Sequence, residues 1–247
     1  MTALYQDDLA YIHDAGFGQL AEAAADHVRG LLERDGVTAG TVVDLGCAGG
    51  RLLGKLGSAG FTAHGIEHSS AFLSLARTRL SDATLVESSV FTAALPACVA
   101  VTAIGEVLCY SDAPAGHARS LRGLFTRINA ALPDNGLFVF DVITDASAPA
   151  FPKQSWQTGA DWAVLSEIIV DDVERAIRRH IVAFREVDGC YRRTAESHLQ
   201  VLLAPSAVSA MLASCGFASE TFEAYGDTAL APRRLGFLAR KTGAPEA

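Results

Sequence analysis

The chain has 247 residues, of which 50% are hydrophobic and 19% are charged, and its mean hydropathy is +0.24. This composition supports a sizeable folded core and excludes a chain that is disordered throughout. The formal net charge of −8 at pH 7 argues against nucleic acid as the main partner. No apolar run approaches the roughly 18 residues of a membrane span, and the first residues lack the pattern of a signal peptide. We therefore expect a cytoplasmic protein with no membrane partner.

The cysteines and histidines show no metal-binding pattern. The five cysteines are an odd number without a CxxC pair, and the seven histidines include no HExxH or similar spacing. Reduced thiols and the absence of a bound metal are the expectation for such a chain.

Strands and helices alternate through the first part of the chain. After a short leader, an Ala-rich helix is predicted at 18–34. The pattern then predicts strands at 41–45, 62–67, 83–87, 98–104 and 136–142, with helices at 50–59, 69–80 and 115–131. Alternation of this kind predicts a parallel sheet with helices on both faces.

The pattern changes at about residue 143. A loop is predicted at 146–152, and the strands after it have no helices between them. They are predicted at 162–170, 175–187 and 190–203, followed by a helix at 206–215 and strands at 217–225 and 234–241. We therefore expect an antiparallel insertion between the fifth strand and the last helix.

The richest local motif is Thr41-Val-Val-Asp-Leu-Gly-Cys-Ala-Gly-Gly-Arg51, a β-branched run that ends in a Gly-rich turn before a helix. Glycine lets the backbone approach a nucleotide-like ligand closely. About 20 residues later a second apolar run ends in Glu67, and a carboxylate there suits a ribose diol. Together these features indicate an enzyme that uses a nucleoside cofactor.

Two other nucleotide motifs fit the turn poorly. The dinucleotide fingerprint G-x-G-x-x-G would need glycine at all three positions, but the turn has Gly46, Ala48 and then Arg51. A P-loop would need GK[ST], which the turn lacks.

The motifs in their order and spacing resemble the class I S-adenosylmethionine-dependent methyltransferases, over roughly residues 40–142. Val43-Asp-Leu-Gly-Cys-Ala-Gly-Gly50 is similar to their first motif and Ile66-Glu67-His-Ser-Ser to their second strand. Ala100-Val-Thr-Ala-Ile-Gly-Glu-Val-Leu108 resembles the fourth strand and Ala131-Leu-Pro-Asp-Asn-Gly-Leu-Phe-Val-Phe-Asp141 the fifth. The resemblance implies a Rossmann-like α/β fold, with a parallel seven-stranded sheet, an antiparallel last strand and the β insertion.

The resemblance also implies residues that bind S-adenosylmethionine, the expected cofactor. Glu67 would accept from both ribose hydroxyls, and the methyl-donor and substrate space would adjoin Ile104, Gly105 and Glu106. The remaining candidates follow the first, second and third strands: Asp44, Gly46, Cys47, Ala48, Gly50, His68, Ser88, Ser89 and Val90. Ala48 replaces a common glycine, which the fold tolerates if φ there is negative, and Ser89 replaces a common aspartate. In many similar enzymes the N-terminal segment covers the cofactor, which makes Tyr11 and His13 candidates for such a lid.

The hairpin turn Asp188-Gly189 fixes a register in the insertion. Arg179 then opposes His198 and Ile181 opposes Glu196, so that Arg179, Glu196, His198 and Gln200 share one face. That face is either exposed to water or covers the active site, where His198 would be a general base. Glu106 is a second candidate, as a base, a ligand for a substrate amine or a helix cap.

The sequence thus predicts a methyltransferase that acts on O or N of a small molecule. A single domain is expected, with an N-terminal lid and helix (1–40), a cofactor-binding half (41–142), the β insertion (150–203) and a closing part (204–247). The alternatives are a cofactor-binding regulator without transfer activity and a nicotinamide-dependent oxidoreductase. The substrate and the oligomeric state remain open.

Overall fold

A computed structural model describes residues 4–111, 114–146 and 151–244. Its helices are α1 (Asp7–Gly16), α2 (Gln19–Arg34), α3 (Arg51–Ser58), α4 (Ser70–Arg79), α5 (His117–Ala131) and α6 (Pro205–Ser214). None of the helices in these ranges is long and apolar enough to cross a membrane.

The strands form three sheets. The first strands are β1 (Thr41–Leu45), β2 (Thr62–Glu67), β3 (Thr84–Glu87), β4 (Ala100–Ala103) and β5 (Leu137–Ile143). The insertion contains β6 (Gln154–Thr158), β7 (Trp162–Asp171), β8 (Ala176–Val187) and β9 (Cys190–Val201). The closing strands are β10 (Phe217–Phe222), β11 (Ala224–Tyr225), β12 (Thr228–Ala229) and β13 (Arg234–Lys241).

The largest sheet has the strand order β10-β13-β5-β4-β1-β2-β3. Strands β1 to β5 pair in parallel, and β13 runs antiparallel between β5 and β10. The insertion is a separate antiparallel sheet in the order β6-β7-β8-β9. The predicted fold class is confirmed. The order of the parallel strands reverses between β1 and β4, where α/β sheets of this kind bind ligands.

Apolar side chains cover both faces of the large sheet. One cluster centres on Phe138 and Phe140 with α5, and another joins β1 to α2 and α3 through residues such as Leu53. A smaller third cluster joins α1 to the insertion sheet, with Leu9 and Ile12 packing near Trp162. The N-terminal helix is therefore packed on the insertion sheet and on α4.

The structure corrects the predicted elements in three places. The leader contains α1, whose single buried stripe of about three turns is short for a clear helical period. Strand β6 was missed because all five of its residues are exposed and show no alternation. Strand β10 ends at Phe222 rather than 225, and the chain then turns Tyr225 into the core. The predicted loop at 146–152 lies partly outside the described residues.

Candidate functional site

A cavity of about 680 Å³ lies at the carboxyl ends of β1, β2 and β4, where the strand order reverses. Nine predicted cofactor residues line it: His13, Gly46, Ala48, Glu67, His68, Ser89, Val90, Ile104 and Gly105. The location follows from topology, because parallel strands bring their carboxyl ends and the loops after them to one edge.

The Gly-rich turn after β1 has left-handed backbone at three positions. The φ angles are +70° at Gly46, +47° at Ala48 and +77° at Gly50. The condition under which alanine was expected to be tolerated at position 48, a negative φ, is not met. Alanine therefore occupies a conformation that favours glycine, and the same backbone directs its N–H to Glu67 Oε2 at 3.0 Å.

Glu67 ends β2 and is 8% exposed. Its Oε1 accepts the N–H groups of His68 and Ser69 at 2.7 and 2.8 Å, whereas Oε2 accepts only that of Ala48 among the described residues. Burial raises the pKa of this carboxyl, and the three backbone donors oppose the shift. A carboxylate oxygen has two lone-pair directions, so Oε2 keeps the capacity to accept from a ligand hydroxyl.

The chain after β4 lines the cavity, as Glu67 does, and leaves open space there. Gly105 has a φ of +86°, and a Cβ added there would meet no atom within 4 Å. Its N–H donates to Asp141 Oδ2 at 2.8 Å, and that of Glu106 donates to Oδ1 at the same distance. Burial raises the pKa of Asp141 to about 6. Backbone is thus held at the cavity wall without a side chain that would fill the space.

Four predicted cofactor residues are not among those that line the cavity: Asp44, Cys47, Gly50 and Ser88. Asp44 accepts the Thr102 hydroxyl at 2.7 Å, and burial raises its pKa to about 7. Cys47 packs towards Gly65, and Gly50 begins α3. Ser88 donates its N–H to the Glu67 carbonyl at 2.9 Å.

The far wall of the cavity, formed by residues after β3 and β4 and by the start of α5, contains residues that the sequence did not single out. Tyr110 follows the β4 loop, Phe91 follows β3, and His117 begins α5. His117 Nε2 lies 2.9 Å from the Leu108 carbonyl, which can only accept, so this nitrogen carries the proton. Burial lowers the pKa of His117, so the ring is neutral and Nδ1 is its acceptor. The only local sequence signal for this helix start is Gly116, which directly precedes His117.

The N-terminal segment covers the cavity with Tyr5 and His13. Burial lowers the pKa of His13 to about 4, which keeps the ring neutral at pH 7. Tyr11, the other predicted lid residue, points to the insertion sheet instead. Its hydroxyl donates to Asp161 at 2.8 Å, and the Arg185 guanidinium lies 3.5 Å from its ring centroid.

The predicted hairpin register is confirmed, with Arg179 opposite His198 and Ile181 opposite Glu196. The polar face is buried rather than exposed to water. His198 has no exposed surface and lies behind Tyr5, with ring centroids 4.9 Å apart. Its Nε2 lies 2.8 Å from Glu196 Oε2. Among the described residues that line the cavity, His198 is absent.

Glu106, the other candidate base, is 1% exposed and has a φ of +64°. Its carboxylate contacts the guanidinium groups of Arg179, at 3.5 Å, and Arg234, and it accepts from Gln200 Nε2 at 2.7 Å. These groups come from β8, β13 and β9. A carboxylate bound by two guanidinium groups favours the ionised form and is poorly suited to take up a proton. Its position joins both sheets.

No protein-family model and no curated protein matches the sequence. A solved S-adenosylmethionine-dependent methyltransferase from Clostridium acetobutylicum aligns over 95% of this chain and 98% of its own, with a TM-score of 0.80 and 15% identity. A sugar N-methyltransferase from Streptoalloteichus covers 98% of both chains, with a TM-score of 0.77 and 21% identity. An amino pentose methyltransferase from Micromonospora echinaspora covers 98% of this chain and 99% of its own, with a TM-score of 0.74 and 19% identity. The chain therefore has the fold of these methyltransferases.

Proposed function

We propose that this protein is an S-adenosylmethionine-dependent methyltransferase that acts on O or N of a small molecule. The observation that carries the proposal is the cavity at the strand reversal, with the buried Glu67 carboxylate on one side and the open Gly105 backbone on the other. The fold supports the same proposal, because the solved methyltransferases share this architecture over nearly the whole chain.

The described residues fit the cofactor. Glu67 Oε2 has acceptor capacity for a ribose hydroxyl, and Ser89 and Val90 would lie against the adenine. Gly46, Ala48 and Gly105 would adjoin the methionine part, since their backbone lines the cavity without bulky side chains. A neutral His13 above the cavity adds no positive charge that would repel a sulfonium.

The bound cofactor supplies an activated methyl group on a sulfonium, so the transfer is an in-line displacement. The protein then needs chiefly to align the acceptor and exclude water, and alignment alone can supply about 7–11 kcal/mol of the barrier reduction. Tyr5 and His13 close one side of the cavity. On the far wall, Nδ1 of His117 can accept a hydrogen bond or a proton from the acceptor group.

For the acceptor, we propose the amine of a small sugar-like molecule. Support comes from two of the similar structures, which are a sugar N-methyltransferase and an amino pentose methyltransferase. The far wall also suits a polar acceptor of modest size, because Thr92, Tyr110, His117 and Ser120 line it. We further propose a cytoplasmic location, supported by five free cysteines, four of them buried.

The cofactor is tested by calorimetric titration of the protein with S-adenosylmethionine, S-adenosylhomocysteine and NADH. We expect the first two to bind and NADH to leave no heat signal. Glu67→Gln removes the charge opposite the ribose hydroxyls and should weaken binding about 10- to 100-fold, the size expected for hydrogen bonds to a charged group. Glu87→Gln, at the exposed end of β3, is the matched control. Tight NADH binding without S-adenosylmethionine binding would overturn the proposal.

Activity is tested by incubating the protein with S-adenosylmethionine and a panel of amino sugars and hydroxylated small molecules. Mass spectrometry should find an acceptor with one added methyl group and an equal amount of S-adenosylhomocysteine. A protein that binds the cofactor but forms no S-adenosylhomocysteine with any acceptor would instead be a cofactor-binding regulator.

A further inference from the structure

The N-terminal segment is tied to the insertion sheet by its backbone. The N–H of Tyr5 donates to Glu196 Oε2 at 2.7 Å, and the N–H of Gln6 donates to Glu196 Oε1 at 2.8 Å. These groups stand at the start of α1, whose N-cap residue Gln6 makes no side-chain capping hydrogen bond. A carboxylate from another element therefore occupies the position of a helix cap, where negative charge is favoured.

His198 completes this arrangement. Both Glu196 oxygens accept from backbone N–H groups, and His198 Nε2 lies 2.8 Å from Oε2, where its N–H can be a third donor to the carboxylate. His198 Nδ1 is buried and has no partner among the described residues. The side chains of Glu196 and His198 are 3% and 0% exposed. The pair is thus buried inside the protein, and His198 is not among the described residues that line the cavity.

Tyr5 links the Glu196–His198 pair to the cavity. Its backbone carbonyl accepts from Ser69 Oγ at 2.7 Å, next to Glu67, and its hydroxyl lies 2.8 Å from that of Tyr110. Its φ is +52°, a strained value for a side chain of this size. Such a conformation persists only where the surroundings fix it. The Glu196 carboxylate is one of the groups that fix it.

The other end of the lid helix is held by separate means. The carboxylate of Asp14 accepts from Arg51 Nε at 3.2 Å and Arg79 Nη2 at 2.9 Å. A Cβ at Gly49 would lie 2.3 Å from Asp14 Oδ1, so the Gly-rich turn packs directly on this end. The chain continues from here through Gly16 and Gly18 into α2. The contacts of this end with α3 and α4 are separate from those that Glu196 makes with Tyr5 and Gln6.

We propose that Glu196 and His198 form a latch that holds the N-terminal segment closed over the cofactor. They are positioning residues of the insertion sheet and take no proton from the acceptor. This inference rests on the proposed function, since it names what closes that cavity. Release of the two backbone N–H groups from Glu196 frees Tyr5 and opens the route by which the cofactor leaves.

The test measures the cofactor dissociation rate by stopped-flow competition, together with single-turnover rates. Glu196→Gln should raise the dissociation rate about tenfold, the size expected for loss of a charged hydrogen bond, and leave the single-turnover rate within about twofold. Glu167→Gln is the matched control, because Glu167 is exposed on the opposite face of the same sheet. An unchanged dissociation rate in Glu196→Gln overturns the latch.

Variants of His198 distinguish a role in the latch from a role as a general base. His198→Gln keeps an N–H donor for Glu196 but offers no basic nitrogen, so the latch predicts near-normal dissociation and turnover. His198→Ala should release the cofactor faster. The opposite pattern, in which His198→Gln loses its single-turnover rate and its pH profile while the cofactor stays bound, means that His198 is a base and the inference is wrong.

Hydrogen exchange of α1 without cofactor distinguishes failure of the latch from failure of the proposed function. The amides of residues 5–12 should exchange about tenfold faster in Glu196→Gln than in the wild-type protein or Glu167→Gln. If the wild-type protein binds no S-adenosylmethionine, the proposed function fails, whatever these amides do. If it binds and the amides of Glu196→Gln stay protected, only the latch fails.

Discussion

The seven-stranded sheet and the insertion sheet turn different kinds of side chain inward. All residues of β4 and β5 are buried, and most are apolar. The insertion sheet instead buries Glu196, His198 and Gln200, while Trp156 and Leu165 on its other face are 77% and 46% exposed. The first sheet supplies the core, and the second supplies a polar contact surface for the lid and the β4 loop. The insertion also buries apolar residues such as Trp162, Ile177 and Ile181, so burial there depends on hydrogen-bond partners as well as on hydrophobicity.

The largest expected effect concerns the apolar interior of the first sheet. Phe140 has no exposed surface and stacks on Phe138 and Phe237, with ring centroids 4.4 and 5.0 Å away. Phe140→Ala should lower the free energy of unfolding by about 3–5 kcal/mol. Leu165→Ala on the outer face of the insertion should cost less than about 1 kcal/mol. Urea denaturation of both variants checks the contrast, and equal losses would remove it.

The next effect concerns the polar contact between the sheets. Glu106→Ala leaves Arg179 and Arg234 without their shared carboxylate, and these side chains are only 21% and 25% exposed. An unpaired buried charge is costly, so we expect a loss of about 3 kcal/mol in the free energy of unfolding. Glu220→Ala, at an exposed position of β10, should change it by less than about 0.5 kcal/mol. Similar values for the two variants would mean that the contact contributes little.

Asp44 is a buried carboxylate that has no basic partner among the described residues, and its replacement tests how burial of this group affects stability. Its pKa is raised to about 7 by burial, so between pH 4 and 7 the folded state binds a proton that the unfolded state has lost. Its contribution to stability is thus present at low pH and is lost as the pH rises through 7, by at most about 1.4 kcal/mol per pH unit. Asp44→Asn should remove this slope. Thermal unfolding from pH 4 to 8 measures it, and identical slopes in both proteins would contradict the assignment.

The smallest effect is expected at Ala48. Its φ of +47° favours glycine, so Ala48→Gly should raise the free energy of unfolding by about 0.5–1 kcal/mol. The gain should appear in urea denaturation while cofactor affinity stays within about twofold, because the N–H to Glu67 is kept. A destabilised variant would show that the strain is not at this residue.

The sequence predicted the first sheet better than the second for a physical reason. Gly46, Glu67 and Gly105 each lie at the end of a strand or within two residues of it, so local pattern and strand direction place them at the cavity. The hairpin register followed equally from the Asp188-Gly189 turn. Which face of the hairpin is buried did not follow from the sequence, because alternation defines two faces but does not show which one meets hydrogen-bond partners.

Those partners are remote in sequence. Glu196 binds the backbone of Tyr5, 191 positions away, and Gln200 binds Glu106, 94 positions away. No local pattern signals such pairs. The same holds for His117 and Tyr110, which reach the cavity only through the packing of α5 and the loop after β4. Strand β6, wholly exposed, gave no periodic signal.

The contacts of Glu196 with the lid have a consequence for how this protein tolerates change. Glu196 holds only backbone N–H groups at positions 5 and 6, so their side chains do not take part in those two contacts. Replacement of Gln6 should leave the closure intact, whereas Glu196 has no substitute of the same reach and charge. Position 6 can therefore be varied in a library without loss of these two hydrogen bonds, whereas Tyr11 and Asp14 must be kept because their side chains attach the same segment.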